Sequence, residues 1–197
     1  MEQRIFGIES EFGLSYIPQG LGRLSVEETA AALFKPVLDE WRSTNVFLPN
    51  GGRLYLDVGS HPEYATAECA TIDELLAQER AGELLFAQLA QQAQEQLRAH
   101  HDRPLNGTIY LFKNNVDSAG NSYGSHENYL ISRDIPFEDV ASTLLTFFAT
   151  RIIYTGAGRV GIGVNGEIPG FQISSRADFF ERPVGLETTI RRPIVNT

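Results

Sequence analysis

Apolar and polar residues alternate sharply in two early stretches. Over residues 4–16, Phe6, Ile8, Phe12 and Leu14 fall on one face and Glu9 and Glu11 on the other, which predicts a strand. Over residues 53–58, Leu54, Leu56 and Val58 alternate with Arg53, Tyr55 and Asp57, which predicts another, entered through the turn Pro49-Asn50-Gly51-Gly52. Residues 63–69 are expected to pair with it as a hairpin or bulged pair. Elsewhere the period lengthens to that of a helix. Ala30, Leu33, Phe34, Val37, Leu38 and Trp41 form a stripe that starts at the capping-box pair Ser25 and Glu28, with Pro36 expected to kink or break it. Thr71 and Glu74 repeat the capping spacing and open a long helix to about residue 98, along Leu85, Phe86, Leu89, Ala93 and Leu97. Strands are expected at 107–113 and over Asn128-Tyr129-Leu130-Ile131-Ser132. A third helix is expected over 137–155, ended by Gly156. The remainder is rich in Gly and Arg, with short strands. This order favours an α+β fold with a mainly antiparallel sheet over an alternating parallel one.

Composition narrows the function classes. A chain of 197 residues is one domain, or part of a larger one. The net charge of −9 is spread along the chain and argues against electrostatic binding of nucleic acid or of an anionic membrane. It does not argue against a nucleotide held through a metal ion. Cys69 is the only cysteine, so neither an internal disulfide nor a thiolate cluster is expected. The start MEQRIFGIES has no apolar leader pattern and no run approaches a membrane span; a cytoplasmic protein is the expectation.

Two carboxylates two residues apart on a strand, Glu9 and Glu11, share a face with Cβ atoms about 7 Å apart. Buried together they repel, unless a proton or a cation intervenes. Mg²⁺ takes such oxygen ligands and bridges them to phosphates. Arg53, Tyr55 and Asp57, with Glu63 close behind, supply a planar phosphate fork, a phenol, a carboxylate base and a further oxygen ligand. The other reading of both faces is a solvated acidic surface with weak cross-strand ion pairs. On the residues alone both readings stand.

His126 enters a strand from a Gly-containing loop and reads equally as a substrate contact or a structural histidine. No second histidine stands at ligand spacing, so a catalytic zinc is not expected. His61 beside Pro62 reads as a turn former, and His100 and His101 as helix-terminal cations. Gly156-Ala157-Gly158-Arg159-Val160-Gly161 matches G-x-G-x-x-G. A helix precedes it and the hairpin-like IGVNGE follows, so it reads as a helix cap and turn. Walker A and serine-nucleophile motifs are absent.

Four segments, RIFGIESEFG, NVFLPNGGRLYLDVGSHPEYATAEC, YLFKNNVDSAGNSYGSHENYL and RRPIVNT, resemble the Pup ligase and Pup deamidase/depupylase family. That family is related in fold to glutamine synthetase and the carboxylate-amine ligases. The resemblance implies a curved, mainly antiparallel sheet with helices packed on one face. It makes residues 1–197 the N-terminal portion of a single catalytic domain, since family members are much longer.

For matching positions the resemblance implies Mg²⁺ ligands at Glu9, Tyr55 and Glu63, ATP contacts at Arg53 and Thr66, and the catalytic base at Asp57. Glu11 joins them as a further candidate ligand by position and charge. The ligase uses ATP to phosphorylate the side-chain carboxylate of the C-terminal Glu of Pup, the prokaryotic ubiquitin-like protein. A lysine of a protein substrate then attacks, forming an isopeptide bond that marks the substrate for the proteasome.

GRLYLDVGSHPEYATAEC and the short Glu11-to-Asp57 spacing resemble the ligase; GFQISSRADFFERPVGLETTIRRPIVNT resembles the depupylase. Ser125 stands where the family usually has Cys. The first half holds the chemistry, so a ligase is the expectation. A depupylase, or a non-catalytic fragment that binds Pup or a partner, is the alternative. The isolated chain is expected to be inactive.

Overall fold

The N-terminal alternation folds as two strands rather than one. In the computed structural model β1 (Phe6–Glu11) and β2 (Gly13–Pro18) part at Phe12 and enter different sheets. Phe12 leaves the ladder with its N–H donated to the Pro62 carbonyl (2.9 Å), and its buried ring packs on Phe86 with centroids 4.8 Å apart. The structure describes residues 4–101, 104–113, 116–117, 120–161, 169–186 and 191–196. They fall into two compact units, Met1–Asn114 with Tyr123–Leu130, and Asn115–Ser122 with Ile131–Thr197.

The first unit is built on a five-stranded sheet. To β1 it adds β3 (Asn45–Phe47), β4 (Arg53–Asp57), β5 (His61–Ala65) and β7 (Ser125–Tyr129), in the order β3-β4-β5-β1-β7. Every pairing in it is antiparallel. β2 pairs separately with β6 (Gly107–Phe112). Helices α1 (Val26–Trp41) and α2 (Ile72–Ala99) start at complete capping boxes, Ser25 with Glu28 and Thr71 with Glu74. Each satisfies two N–H groups that the helix start leaves unpaired. α1 runs on through Pro36, against expectation: the proline removes one donor, but Leu33, Phe34 and Val37 on either side of it are buried. Those residues and Ala30 form one core with Phe86, Leu89 and Ala93 of α2 and with Val46, Leu54 and Tyr64 of the sheet. The sheet therefore presents one face to the helices.

Three strand boundaries differ from those expected. β5 stops at Ala65 because the Thr66 hydroxyl, instead of a ladder carbonyl, accepts the Ile8 N–H (3.0 Å). Cys69 rejoins β1 by an isolated bridge to Phe6. β7 covers Ser125–Tyr129 rather than 128–132, because its partner β1 reaches only from Phe6, opposite Tyr129, to Ser10, opposite Ser125. Val58 is not a core residue. It stands 89% exposed in the turn that joins β4 to β5, where Gly59 and Ser60 take φ of 85° and 64°.

In the second unit α3 (Phe137–Thr155) ends as expected at Gly156, whose N–H is donated to the Ile152 carbonyl (3.2 Å). Gly156 itself is extended, not left-handed. The Gly-rich string caps α3 and passes into β8 (Arg159–Gly161), which pairs with β9 (Gly170–Gln172); IGVNGE lies outside the described residues. β10 (Arg182–Gly185) and β11 (Pro193–Asn196) pair in parallel, an exception to the antiparallel pattern. No helix among the described residues is long and apolar enough to cross a membrane.

Candidate functional site

Residues directly opposed on neighbouring strands point to the same side of a sheet, so the register assembles the face opposite the helices. Tyr55, Glu63 and Glu11 form one cross-strand row, and Arg53, Ala65, Glu9 and His126 the row beside it. Asp57 and His61 form a third, at the mouth of the β4–β5 hairpin. The intervening residues Leu54 and Tyr64 point into the helices and are buried. Strands far apart in the chain thus deliver Glu9, Arg53, Tyr55, Asp57 and Glu63 to one surface.

Hydrogen bonds give each acidic group a different state. Glu63 is 6% exposed and accepts the Tyr55 hydroxyl. Burial, then the charges of Glu11, Glu9 and Asp57, push its carboxyl up to about 8. Glu9 is shifted the other way: His126 Nδ1 stands 2.9 Å from its Oε2, and that hydrogen bond holds the carboxyl below the usual range against partial burial. Glu11 is held by His61 Nδ1 and by the Gly124 N–H. A Cβ on Gly124 would stand 2.9 Å from the same carboxylate. Asp57 is exposed, and its carboxylate has no hydrogen bond or ion pair among the described residues.

The Arg53 guanidinium lies 4.3 Å from the Tyr55 ring centroid, and its Nε donates to Asn45 Oδ1 (2.9 Å). Thr66 differs from the rest of the predicted set: it follows Ala65 of the Arg53 row, stands opposite Ile8, and its hydroxyl oxygen is turned to the β1 backbone.

The donor chemistry fits a hard divalent cation. The Glu9 and Glu63 carboxylates and the Tyr55 phenol are oxygen ligands of the kind Mg²⁺ takes, and Glu63 is a carboxylate destabilised by its neighbours that a cation would relieve. Among the described residues no three carboxylate, imidazole or thiol side chains close around a common point. A Mg²⁺ ion held by two carboxylates and a phenol would complete its shell with water and phosphate oxygens.

Sequence reading missed His61, taken for a turn former, and undervalued His126. Each is the partner of a β1 carboxylate, and cross-strand register creates both contacts. Ser125, the departure from the family pattern, is opposite Ser10 and so lies on the other face from the acidic rows.

The fold is α+β with mainly antiparallel sheets, and carboxylates, a phenol and an arginine share the sheet face opposite the helices. The comparisons make the class specific. The family model described as Pup-ligase protein matches residues 4–197, and the chain belongs to that family.

The chain is 64% identical to the Pup–protein ligase of Rothia mucilaginosa (strain DY-18) and 53% identical to that of Arthrobacter sp. (strain FB24). Both matches cover 100% of this chain but only 43% and 42% of those proteins, so the chain spans less than half of their length. The crystal structure of the complex between prokaryotic ubiquitin-like protein Pup and its ligase PafA is similar over 99% of this chain and 38% of that one, at a TM-score of 0.86 and 44% identity. The Pup ligase PafA in complex with ADP matches over 92% of this chain and 39% of that one, at a TM-score of 0.67 and 44% identity.

Proposed function

We propose that this chain is one portion of the catalytic domain of an ATP-dependent Pup–protein ligase acting in the cytoplasm. The observation that carries the reading is the crowded carboxylate row at Glu63, with the unpaired Asp57 carboxylate beside it on the same face. The names of the curated relatives support the ligase branch over the depupylase, and the ADP-bound relative supports nucleotide use. Mg²⁺ held by Glu9, Tyr55 and Glu63 would neutralise charge on the transferring phosphoryl group.

The chain's own residues then have separable tasks. Arg53 offers a permanently charged planar fork to phosphate oxygens. Thr66 orders the strand end beside it and stays near the nucleotide. In the first step the terminal phosphoryl group passes from ATP to the side-chain carboxylate of the C-terminal Glu of Pup, and ADP leaves. In the second, a lysine amine of the protein substrate gives a proton to Asp57. The nitrogen attacks the acyl carbon and phosphate departs, leaving an isopeptide bond. Asp57 suits the base role because no neighbour occupies it.

The test is incubation with Pup ending in Glu, ATP, Mg²⁺ and a lysine-bearing protein, with the remaining portion of a full-length relative supplied. A conjugate with ADP release is expected. Cleavage of a preformed conjugate without synthesis would identify a depupylase, and neither activity would leave a binding fragment.

A further inference from the structure

The sheet face opposite the helices carries one residue out of character with it. Phe47 closes β3, directly opposite Arg53 and therefore on the face of Glu9, Tyr55 and Glu63. Its ring is 72% exposed, while its neighbour Val46 is buried in the core and fixes the strand beneath it. The Arg53 guanidinium approaches both aromatic neighbours, 6.0 Å from the Phe47 centroid and 4.3 Å from that of Tyr55, with its Nε held by Asn45. The guanidinium meets two rings and a neutral amide, with the Glu9 carboxylate near enough to feel its charge, and its terminal nitrogens keep donors for a ligand. Single exposed aromatics are ordinary on protein surfaces. This one is set apart by its place, on the ligand-facing side and one strand from the arginine.

Resting on the nucleotide reading above, we infer that Phe47 is the platform on which the purine base of bound ATP stacks. The order of groups along β4 gives the direction. Asp57, the base for the second step, stands at the hairpin mouth, and the Tyr55–Glu63–Glu11 row comes next. Arg53 lies farther along, about 13 Å from Asp57 at the rise of an extended strand. A nucleotide with its transferable phosphoryl group at the carboxylate row extends its remaining phosphates and ribose toward Arg53. Its base then arrives where the flat, exposed Phe47 ring lies. Stacking on an aromatic ring tolerates any base, so Phe47 contributes affinity for a nucleotide over a bare polyphosphate rather than discrimination among bases.

The experiment is calorimetric titration of the 197-residue chain and its F47A and F47W variants with Mg²⁺·ATP and with Mg²⁺·tripolyphosphate, each variant first checked by thermal melting. F47A should weaken ATP binding by about tenfold or more, leave tripolyphosphate binding unchanged, and melt as the parent does. F47W should bind ATP as well as the parent does. Equal ATP affinity in F47A and parent overturns the inference while leaving the nucleotide site intact. Equal losses for ATP and tripolyphosphate overturn it in favour of a role through Arg53. A parent chain that binds neither ligand overturns the nucleotide-site reading, and the platform with it.

Discussion

Glu63 and Asp57 are both carboxylates on one sheet face, yet their surroundings assign them opposite behaviour. Glu63 is buried among negative charges, so its neutral form is favoured in the fold, with the carboxyl raised from 4.5 to about 8. A raised value stabilises the fold fully below the unfolded pKa and is lost as pH rises through the folded one. The metal-free chain should therefore lose stability between about pH 4.5 and about pH 8. The depressed Glu9 works in the opposite sense, but its window lies below 4.5 and does not overlap. Replacing Glu63 by Gln should flatten the loss and make the variant more stable than the parent at pH 8 by at least about 1 kcal/mol. Urea denaturation at pH 5 and pH 8 measures both; parallel curves for the two proteins would show that Glu63 is not the group being titrated. Asp57, exposed and unpaired, contributes little to the fold. Asp57→Asn should keep the melting temperature and abolish isopeptide formation once the rest of a full-length relative is supplied. Retained conjugation would remove Asp57 from the base role.

The contact between α2 and the sheet is closer than an ordinary helix surface allows. Gly82 lies inside α2, where glycine costs about 1 kcal/mol relative to alanine. It sits there because a Cβ would stand 2.4 Å from Tyr64 Cδ1, and Gly52 meets the hydroxyl end of the same ring, where a Cβ would stand 2.5 Å from the oxygen. Tyr64 fills the space between, with its hydroxyl in reach of Asn50 (3.0 Å) and Gln78 (3.0 Å). Its strand neighbour Glu63 points to the other face, so the fit at Tyr64 also sets the height of the acidic row. Gly82→Ala should gain helix propensity yet destabilise the chain by about 1–3 kcal/mol, because overpacking outweighs it. Thermal melting decides the sign, and a stabilised variant would mean that Tyr64 has room to move.

At the scale of the molecule, the two units carry different parts of the picture. The acidic rows, Arg53 and the paired histidines all belong to the first unit, while the second contributes α3 and two short strand pairs. Relatives named Pup–protein ligase extend over more than this chain, which covers 42–43% of their length. The chain alone is predicted to form no conjugate from Pup, ATP, Mg²⁺ and a lysine-bearing protein, and to do so when the remaining portion is added in trans. Turnover by the chain alone would show that the acidic face is sufficient.

Local rules determined much of this protein before any contact was known. The capping boxes at Ser25 and Thr71, the stripes of the three helices and the strand carrying Arg53, Tyr55 and Asp57 follow from side-chain spacing and hydrogen-bonding chemistry within a few residues. The motifs carried the family and, as implied roles, the site residues. Tertiary structure decided what spacing does not encode. It split the first strand at Phe12, carried α1 through Pro36 on the strength of its buried stripe, and moved His61 from a turn into β5. It paired His126 with Glu9 across 117 positions and buried Glu63 among three other carboxylates. These are consequences of cross-strand register and burial, which join residues distant in the chain. Alternation showed that the 53–57 strand has a polar face; only the sheet showed which other strands share it.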